Sequence, residues 1–150
     1  MDKDAYLEIN ASQRPALALF EAMGYTYISP ADCDRQRGSR YHVLLRDILR
    51  GQLRRLNRYV YAGAENEFSA ANIERAMEDL DEPLTDGLVR TSEKIYDALL
   101  LGKSYPETVG DGKMLSFNLK YIDWGNPQNN VFHVTEEFAV DSRDRRHNAR

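Results

Sequence analysis

Two clusters of arginine have the residue type and the spacing that suit contact with phosphate groups. Fifteen of the twenty basic residues are arginine, and the planar guanidinium group donates paired hydrogen bonds to phosphate oxygens. One cluster, with Arg50 and Arg54, falls on a predicted helix. The other lies in the last ten residues and consists of Arg143, Arg145, Arg146 and Arg150. We predict weak, sequence-independent contact with a DNA backbone at both clusters. A solvated face or pairing with the acidic segment 65–81 is the alternative for the first, and a solvated connector for the second.

The sequence lacks the residue patterns of the common catalytic and metal-binding sites. The three histidines have no cysteine or histidine partner at zinc-ligand spacing, and Cys33 is the only cysteine. Glu136 and Glu137 form the one carboxylate pair in a predicted strand, where neighbouring side chains point to opposite faces and cannot share a metal. Neither a GxxxxGK[ST] phosphate loop nor a nucleophile elbow occurs. We therefore expect no catalytic and no metal-binding residue in this chain.

Composition bounds the class of protein. With 150 residues, of which 42% are apolar, the chain can form one globular domain. It has no run of about 18 apolar residues that could span a membrane, and no signal peptide at its start. The single cysteine favours a reducing compartment, so we expect a cytoplasmic protein. The formal net charge of −4 limits contact with DNA to local basic patches.

Apolar residues at helical spacing predict four helices. The first covers residues 13–23 with Ser12 as its N-cap, and the second begins at Leu45 and is the most basic. The third follows an N-cap at Ser69 and is acidic, and the fourth covers about residues 92–101. We expect the second and third to pack antiparallel through their apolar stripes, because each Arg–Glu pair at the rim would contribute only about 0 to 1 kcal/mol.

Strand signals lie mainly in the last third of the chain. A short strand is predicted at residues 25–28, and loops at 29–39 and 103–113. A two-residue period over 115–121 resumes at 132–140, beyond a loop that contains Pro127. This pattern predicts an antiparallel hairpin with Phe117 and Phe132 on neighbouring strands. The predicted fold class is α+β, with helices packed on that hairpin. Glu136, on its apolar face, is expected at the edge of a polar cleft.

The polar positions of this segment resemble those of a known family. The sequence IDWGNPQNN at 122–130, followed by FHV at 132–134 and EFAV at 137–140, is similar to a hairpin of the restriction (R) subunits of type I restriction-modification enzymes. That hairpin has the pattern hydrophobic-Asp-aromatic-x-Asn-Pro-x-Asn-Asn. Three earlier segments resemble the same family: GYTYIS at 24–29, LTDGLV at 84–89 and KIYD at 94–97. The resemblance spans residues 12–150.

The resemblance implies that residues 1–150 are the first part of an N-terminal nuclease domain of the PD-(D/E)xK type. In that family an Asp and a Glu-x-Lys on adjacent strands serve Mg²⁺-dependent hydrolysis, and by position they would follow Arg150. This chain alone is therefore expected to be inactive. The family often has a glutamate near the start of the first helix, pointing toward the metal site, where this sequence has Gln13. An amide oxygen can coordinate Mg²⁺ weakly or position a water but brings no charge. The alternative for Gln13 is a solvated side chain in the first turn.

The resemblance also implies cofactors and partners. Mg²⁺ would serve the nuclease site and ATP the motor domains of the full-length subunit, with neither bound to this chain. The partners would be DNA and the methylation (M) and specificity (S) subunits. A non-catalytic interaction module, in which the helices between Leu45 and Leu101 dock on the motor domains or M subunits, is the alternative. A free-standing DNA-binding remnant is a third reading. DNA binding through arginine should weaken steeply with salt, whereas apolar docking should not.

Overall fold

A computed structural model, which describes residues 9–81 and 83–141, divides the chain into two units. The central unit is Arg46–Asn130, and the terminal unit combines Met1–Leu45 with Val131–Arg150. The central unit is thus inserted in the sequence between the two halves of the terminal unit. Helices together with small antiparallel sheets confirm the predicted α+β class. Within the described ranges, no helix is long and apolar enough to cross a membrane.

The helices and strands are numbered in chain order. The helices are α1 (Arg14–Ala22), α2 (Pro30–Arg37), α3 (Arg46–Leu56), α4 (Ala70–Leu80) and α5 (Leu88–Leu101). The strands are β1 (Thr26–Tyr27), β2 (Tyr59–Tyr61), β3 (Ala64–Asn66), β4 (Lys103–Thr108), β5 (Met114–Leu119) and β6 (His133–Val134). A π-helical turn, Ile9–Gln13, precedes α1, and a 3-10 turn, Pro127–Asn129, precedes β6. The four predicted helices are confirmed as α1, α3, α4 and α5, although α5 begins four residues earlier than predicted.

The terminal unit is built on a parallel pair of very short strands, β1 and β6. A row of three rings connects α1 to this pair: the Phe20 and Tyr25 centroids are 5.1 Å apart, and those of Tyr25 and Phe132 are 5.3 Å apart. Because the π-helical turn runs directly into α1, the N-cap position belongs to Gln13. The prediction of Ser12 as the N-cap is wrong for that reason.

Residues 29–39 were expected to form a loop, and this prediction is wrong because helix α2 covers most of them. Ser29 Oγ accepts a hydrogen bond from the Asp32 backbone N–H at 3.1 Å, and Gly38 ends the helix with φ 71°. The helix has no apolar stripe, and its residues, PADCDRQR, are of the types that are common in loops. It is held instead by Arg37, which is 3% exposed, donates to the Ala139 carbonyl at 2.5 Å and lies 4.2 Å from the Phe138 ring centroid.

The central unit has the larger apolar core, to which α3, α4 and the β4–β5 hairpin contribute. Its fully or nearly buried members are Leu53, Phe68, Ile73, Ala76, Met77, Tyr105, Leu119 and Tyr121. Helices α3 and α4 pack against each other. Arg50 donates to Glu74 at the rim, with 3.2 Å between Nη2 and Oε2, and Arg46 lies 3.6 Å from the same carboxylate. The predicted pairing of the basic helix with the acidic helix is confirmed.

The hairpin predicted over 115–140 is wrong. Strand β5 pairs with β4, with Tyr105 opposite Phe117, so residues 103–108 are strand and not loop. Strand β6 pairs with β1 in a separate sheet. Phe117 and the segment that follows Phe132 therefore lie in different sheets, and the predicted arrangement of Phe117 and Phe132 on neighbouring strands is wrong. A two-residue period identifies strands but does not specify their partners.

Buried polar groups fix the β4–β5 hairpin against α4. Tyr105 Oη donates to Asp79 Oδ2 at 2.5 Å and lies 2.9 Å from Tyr121 Oη, which donates to the Ala76 carbonyl at 2.7 Å. Burial raises the pKa of both tyrosines, that of Tyr121 to about 12. Glu107, which is 6% exposed, accepts hydrogen bonds from the backbone and side-chain donors at the start of α4. The two ends of α4 are thus tied to β4 by hydrogen bonds.

Two tight connections set the path of the central unit. Strands β2 and β3, within a segment predicted as a connector, are joined by Ala62 and Gly63. Both have positive φ, 49° and 78°, as a two-residue type I′ turn requires. At the end of α5, Gly102 has φ 76°, and a Cβ there would collide with the Leu119 carbonyl oxygen. A side chain at position 102 would therefore separate α5 from the end of β5.

Candidate functional site

The family-like motif folds into a turn organised around the Asp123 carboxylate. Asp123 is 6% exposed. Its Oδ1 accepts from the Asn126 backbone N–H at 3.2 Å, and its Oδ2 accepts from Lys120 Nζ at 2.8 Å and Asn129 Nδ2 at 3.0 Å. These hydrogen bonds, that of Asn129 foremost and then that of Lys120, lower the pKa of Asp123 to about 2. The side chain is therefore a permanent anion that structures the turn.

Asn130 closes the same turn from its other end. Its Oδ1 accepts from the Asp123 backbone N–H at 2.8 Å, and its Nδ2 donates to the carbonyls of Asp123 and Pro127, both at 3.0 Å. Pro127 begins the 3-10 turn between these partners. The polar positions that carry the family resemblance are thus occupied by residues that bond to one another.

Helix α3 holds this turn through its last two helical turns and the residue after it. Gln52 Nε2 donates to the Asn129 carbonyl at 2.9 Å, and Arg55 donates to the same oxygen. Asn57, which is 4% exposed, forms a two-way bridge with Lys120: its Nδ2 donates to the Lys120 carbonyl and its Oδ1 accepts from the Lys120 N–H, both at 2.8 Å. The basic helix and the motif turn therefore form one bonded assembly.

A cleft of about 280 Å³ opens between the helix and the turn, and we call it the α3 cleft. It is lined by Arg55, Leu56, Lys120, Asp123, Gln128 and Asn129. Two cationic side chains and two primary amides are hydrogen-bond donors, whereas the one carboxylate already accepts three hydrogen bonds. A site rich in donors with a surplus of positive charge is chemically suited to an anion.

The arginines predicted from the sequence differ in their surroundings. Arg50 is bound to Glu74 and Asp47, and the hydrogen bond to Glu74, foremost, raises its pKa. Arg54, four residues further along α3, is exposed to solvent. The remaining predicted contacts, Arg143, Arg145, Arg146 and Arg150, lie outside the described residues. The structure thus places Arg54 on an open surface and commits Arg50 to carboxylates.

The carboxylates of the last predicted strand belong to the terminal unit, whereas the cleft residues belong to the central unit. Glu136 is half-buried and accepts a hydrogen bond from Tyr27 Oη at 3.1 Å. Glu137 is exposed and has an unusual positive φ of 47°. Gln13 is half-buried at the start of α1. Across residues 9–81 and 83–141, no group of three or more His, Cys, Asp or Glu residues is placed to hold a metal ion.

Sequence reasoning missed three residues of this site: Arg55, Asn57 and Lys120. Arg55 belongs to the arginine run that the sequence does reveal, and its place on the helix was visible. The signal that selects it over Arg54 is contact with Asn129, which is 74 residues away. Asn57 directly follows α3, where a side-chain amide commonly bonds to a nearby backbone group, as it does here to the Leu53 carbonyl at 2.9 Å.

Comparison with known proteins adds one match. A family model described as the N terminus of the type I restriction enzyme R protein matches residues 5–150. No curated protein and no solved structure matches the chain.

Proposed function

Since this chain belongs to the family of type I restriction enzyme R protein N termini, we propose that it serves the DNA-cleaving nuclease domain of such a subunit. In the intact protein the reaction would be Mg²⁺-dependent phosphodiester hydrolysis, with ATP used by the motor domains. The observation that carries the proposal is the motif turn. Asp123, Asn126, Asn129 and Asn130 match the family's polar pattern, and each bonds within the turn.

The contribution of the described residues would be structural and electrostatic. No cluster of metal-ligating side chains is found in the described ranges, so these residues do not fit a Mg²⁺ site and metal chemistry is assigned to none of them. A PD-(D/E)xK centre remains a proposal drawn from the resemblance, with its Asp and Glu-x-Lys beyond Arg150. The same holds for assembly with M and S subunits and for DNA contact by Arg54 and the arginines of 143–150.

We expect this chain by itself to leave supercoiled plasmid intact in the presence of Mg²⁺. The reason is that the resemblance places the metal-binding Asp and the Glu-x-Lys after Arg150. The measurement is conversion of supercoiled to nicked plasmid on a gel, with the intact R subunit, its M and S subunits, ATP and Mg²⁺ as the positive control. Nicking by the chain alone that a chelator stops would contradict this assignment. An intact complex that never cleaves would overturn the proposed function.

A second function, docking on the motor domains or on the M subunits, is favoured by the exposed apolar side chains of α5. They are Leu88, Val89, Tyr96, Leu100 and Leu101, between 46% and 70% exposed. Monomeric soluble proteins rarely expose many large apolar side chains together, and such patches commonly mark interfaces. Val89, Tyr96 and Leu100 lie on one face of this helix, whose Ala98 and Leu99 pack against the core of the central unit.

If docking uses this surface, replacing Tyr96 with alanine should weaken binding of the chain to the assembled M and S subunits by about fivefold to tenfold, as expected for an aromatic side chain at an interface. The loss should be equal at low and high salt, because apolar contacts are insensitive to screening. Titration calorimetry or biosensor binding measures it. Tyr41→Ala removes a similarly exposed tyrosine of the terminal unit and is the matched control. Unchanged affinity of the Tyr96 variant would argue against docking through α5.

A further inference from the structure

We propose that the α3 cleft is a binding site for one phosphate group of the DNA backbone, with Arg55 and Lys120 as its cationic donors and Gln128 as its neutral donor. The choice of DNA as the source of the phosphate rests on the proposed function. None of these three donors is among the contacts predicted from sequence, which are Arg50, Arg54 and the arginines of 143–150.

The charge of the cleft favours an anion. Arg55 and Lys120 bring two positive charges, and Asp123 brings one negative charge, which leaves one positive charge in the lining. The carboxylate of Asp123 accepts three hydrogen bonds, one of them from Lys120 Nζ at 2.8 Å. An ammonium group has three N–H donors, so this bond leaves two donors of Lys120 for a ligand. Exposed Arg54 lies beside Arg55 on the same helix and adds to the positive potential.

Arg55 is oriented before any ligand arrives. Its Nε donates to Gln52 Oε1 at 3.1 Å, and its Nη2 donates to the Asn129 carbonyl. A guanidinium group has five N–H donors in a rigid plane. The two hydrogen bonds of Arg55 fix that plane and leave further N–H donors on its other edge. An arginine held in this way loses little side-chain entropy on binding, and its fork matches the spacing of phosphate oxygens.

The lining of the cleft favours a phosphate group over a base. The lining contains no aromatic side chain, so it has no platform on which a base could stack. Contacts of this kind position a protein on DNA without reading its sequence.

The test compares Arg55→Gln with two further variants in the full chain. Arg90→Gln removes an exposed arginine from α5 and is the matched control for net charge. Gln52→Ala keeps the charge but removes the acceptor that holds Arg55 Nε and a hydrogen bond to the Asn129 carbonyl, so it tests the orientation of Arg55. The probe is a short fluorescent duplex of arbitrary sequence, titrated at several salt concentrations. We expect Arg55→Gln to lower affinity about tenfold and to reduce the slope of log K against log salt by about 0.9, the value for one phosphate contact on duplex DNA. Arg90→Gln should keep the wild-type affinity and slope, whereas Gln52→Ala should keep the slope and lose less affinity than Arg55→Gln.

Three results would overturn the inference. The first is equal affinity and slope for Arg55→Gln and the wild type, or no binding of the duplex by the wild type. The second is an equal loss in Arg55→Gln and Arg90→Gln, which would assign the effect to net charge. The third is binding of free ATP, but not of the duplex, that depends on Arg55, which would make the cleft a site for free polyphosphate. Plasmid cleavage by the intact complex is measured in a separate assay. A negative result for phosphate binding in the α3 cleft therefore does not contradict the proposed function.

Discussion

Replacing Asn57 with alanine is expected to lower the free energy of unfolding of the central unit by about 2–4 kcal/mol. The side chain makes three hydrogen bonds of 2.8–2.9 Å: two with the backbone of Lys120 and one with the Leu53 carbonyl. Alanine satisfies none of them, and the partners are left in a region from which water is largely excluded. Urea unfolding followed by fluorescence of Trp124 measures the effect, because it is the only tryptophan of the chain and lies in the central unit.

Two further variants separate the bridge from a general effect of shortening an asparagine. Asn66→Ala removes a single local hydrogen bond, to the Ala64 carbonyl, and is expected to change stability by about 1 kcal/mol or less. Asn57→Asp keeps an acceptor for the Lys120 N–H but loses both donated bonds, so it should also be destabilised. If Asn57→Ala unfolds at the same urea concentration as the wild type, the two-way bridge does not hold the motif turn to α3.

Helical spacing located α3 and α4 because each of these helices buries an apolar stripe in one core, against which Ala98 and Leu99 of α5 also pack. Leu53, Ile73 and Met77 are almost fully buried, and their spacing is visible in the sequence. Helix α2 escaped prediction because it has no apolar stripe, its buried residues being Cys33 and Arg37. Its capping signals were present, however: Ser29 and Pro30 at the start and Gly38 at the end. These capping signals outweighed a loop-like composition.

Strand pairing was the part of the fold that the sequence could not specify. Strand β4 contains Pro106 and places Glu107 on its buried side, so it lacks the apolar alternation by which strands are recognised. Without β4, β5 had only one apparent partner, the segment after Asn130. In the structure the chain passes from the central to the terminal unit between residues 130 and 131. The family motif is therefore divided between two units, which a continuous pattern of residues does not reveal.

The candidate site was predictable as a basic helix but not as a cleft. The sequence predicted pairing between the basic and acidic helices, and Arg50 and Glu74 confirm it. Which arginine remains available depends on contacts across long sequence separations. Arg55 donates a hydrogen bond to the Asn129 carbonyl, and the hydrogen bond between Asn57 and the Lys120 carbonyl holds Lys120 beside α3. Such contacts follow from the tertiary fold and leave no trace in spacing along the chain.

Replacing Asp123 with asparagine is expected to remove the acid sensitivity that this carboxylate gives to the central unit. Hydrogen bonds from Asn129 and Lys120 hold its pKa at about 2, compared with an ordinary value of 3.8. Because the folded pKa is the lower one, the unfolded chain binds the proton more readily. The stabilisation is therefore fully present above the ordinary pKa and is lost as pH falls from there through about 2. Asparagine does not titrate, and its single oxygen cannot accept from three donors.

At neutral pH the Asp123→Asn variant should unfold at a lower urea concentration than the wild type, and the gap should narrow as the pH falls below 3.8. Protonation removes from the wild type the same interactions that the variant lacks at every pH. Asp97→Asn makes the same change at an exposed position of α5, and its gap from the wild type should stay small and constant. A gap for Asp123→Asn that remained constant down to about pH 2 would show that the turn does not depend on a charged carboxylate. The motif would then owe its structure to the amides of Asn129 and Asn130 alone.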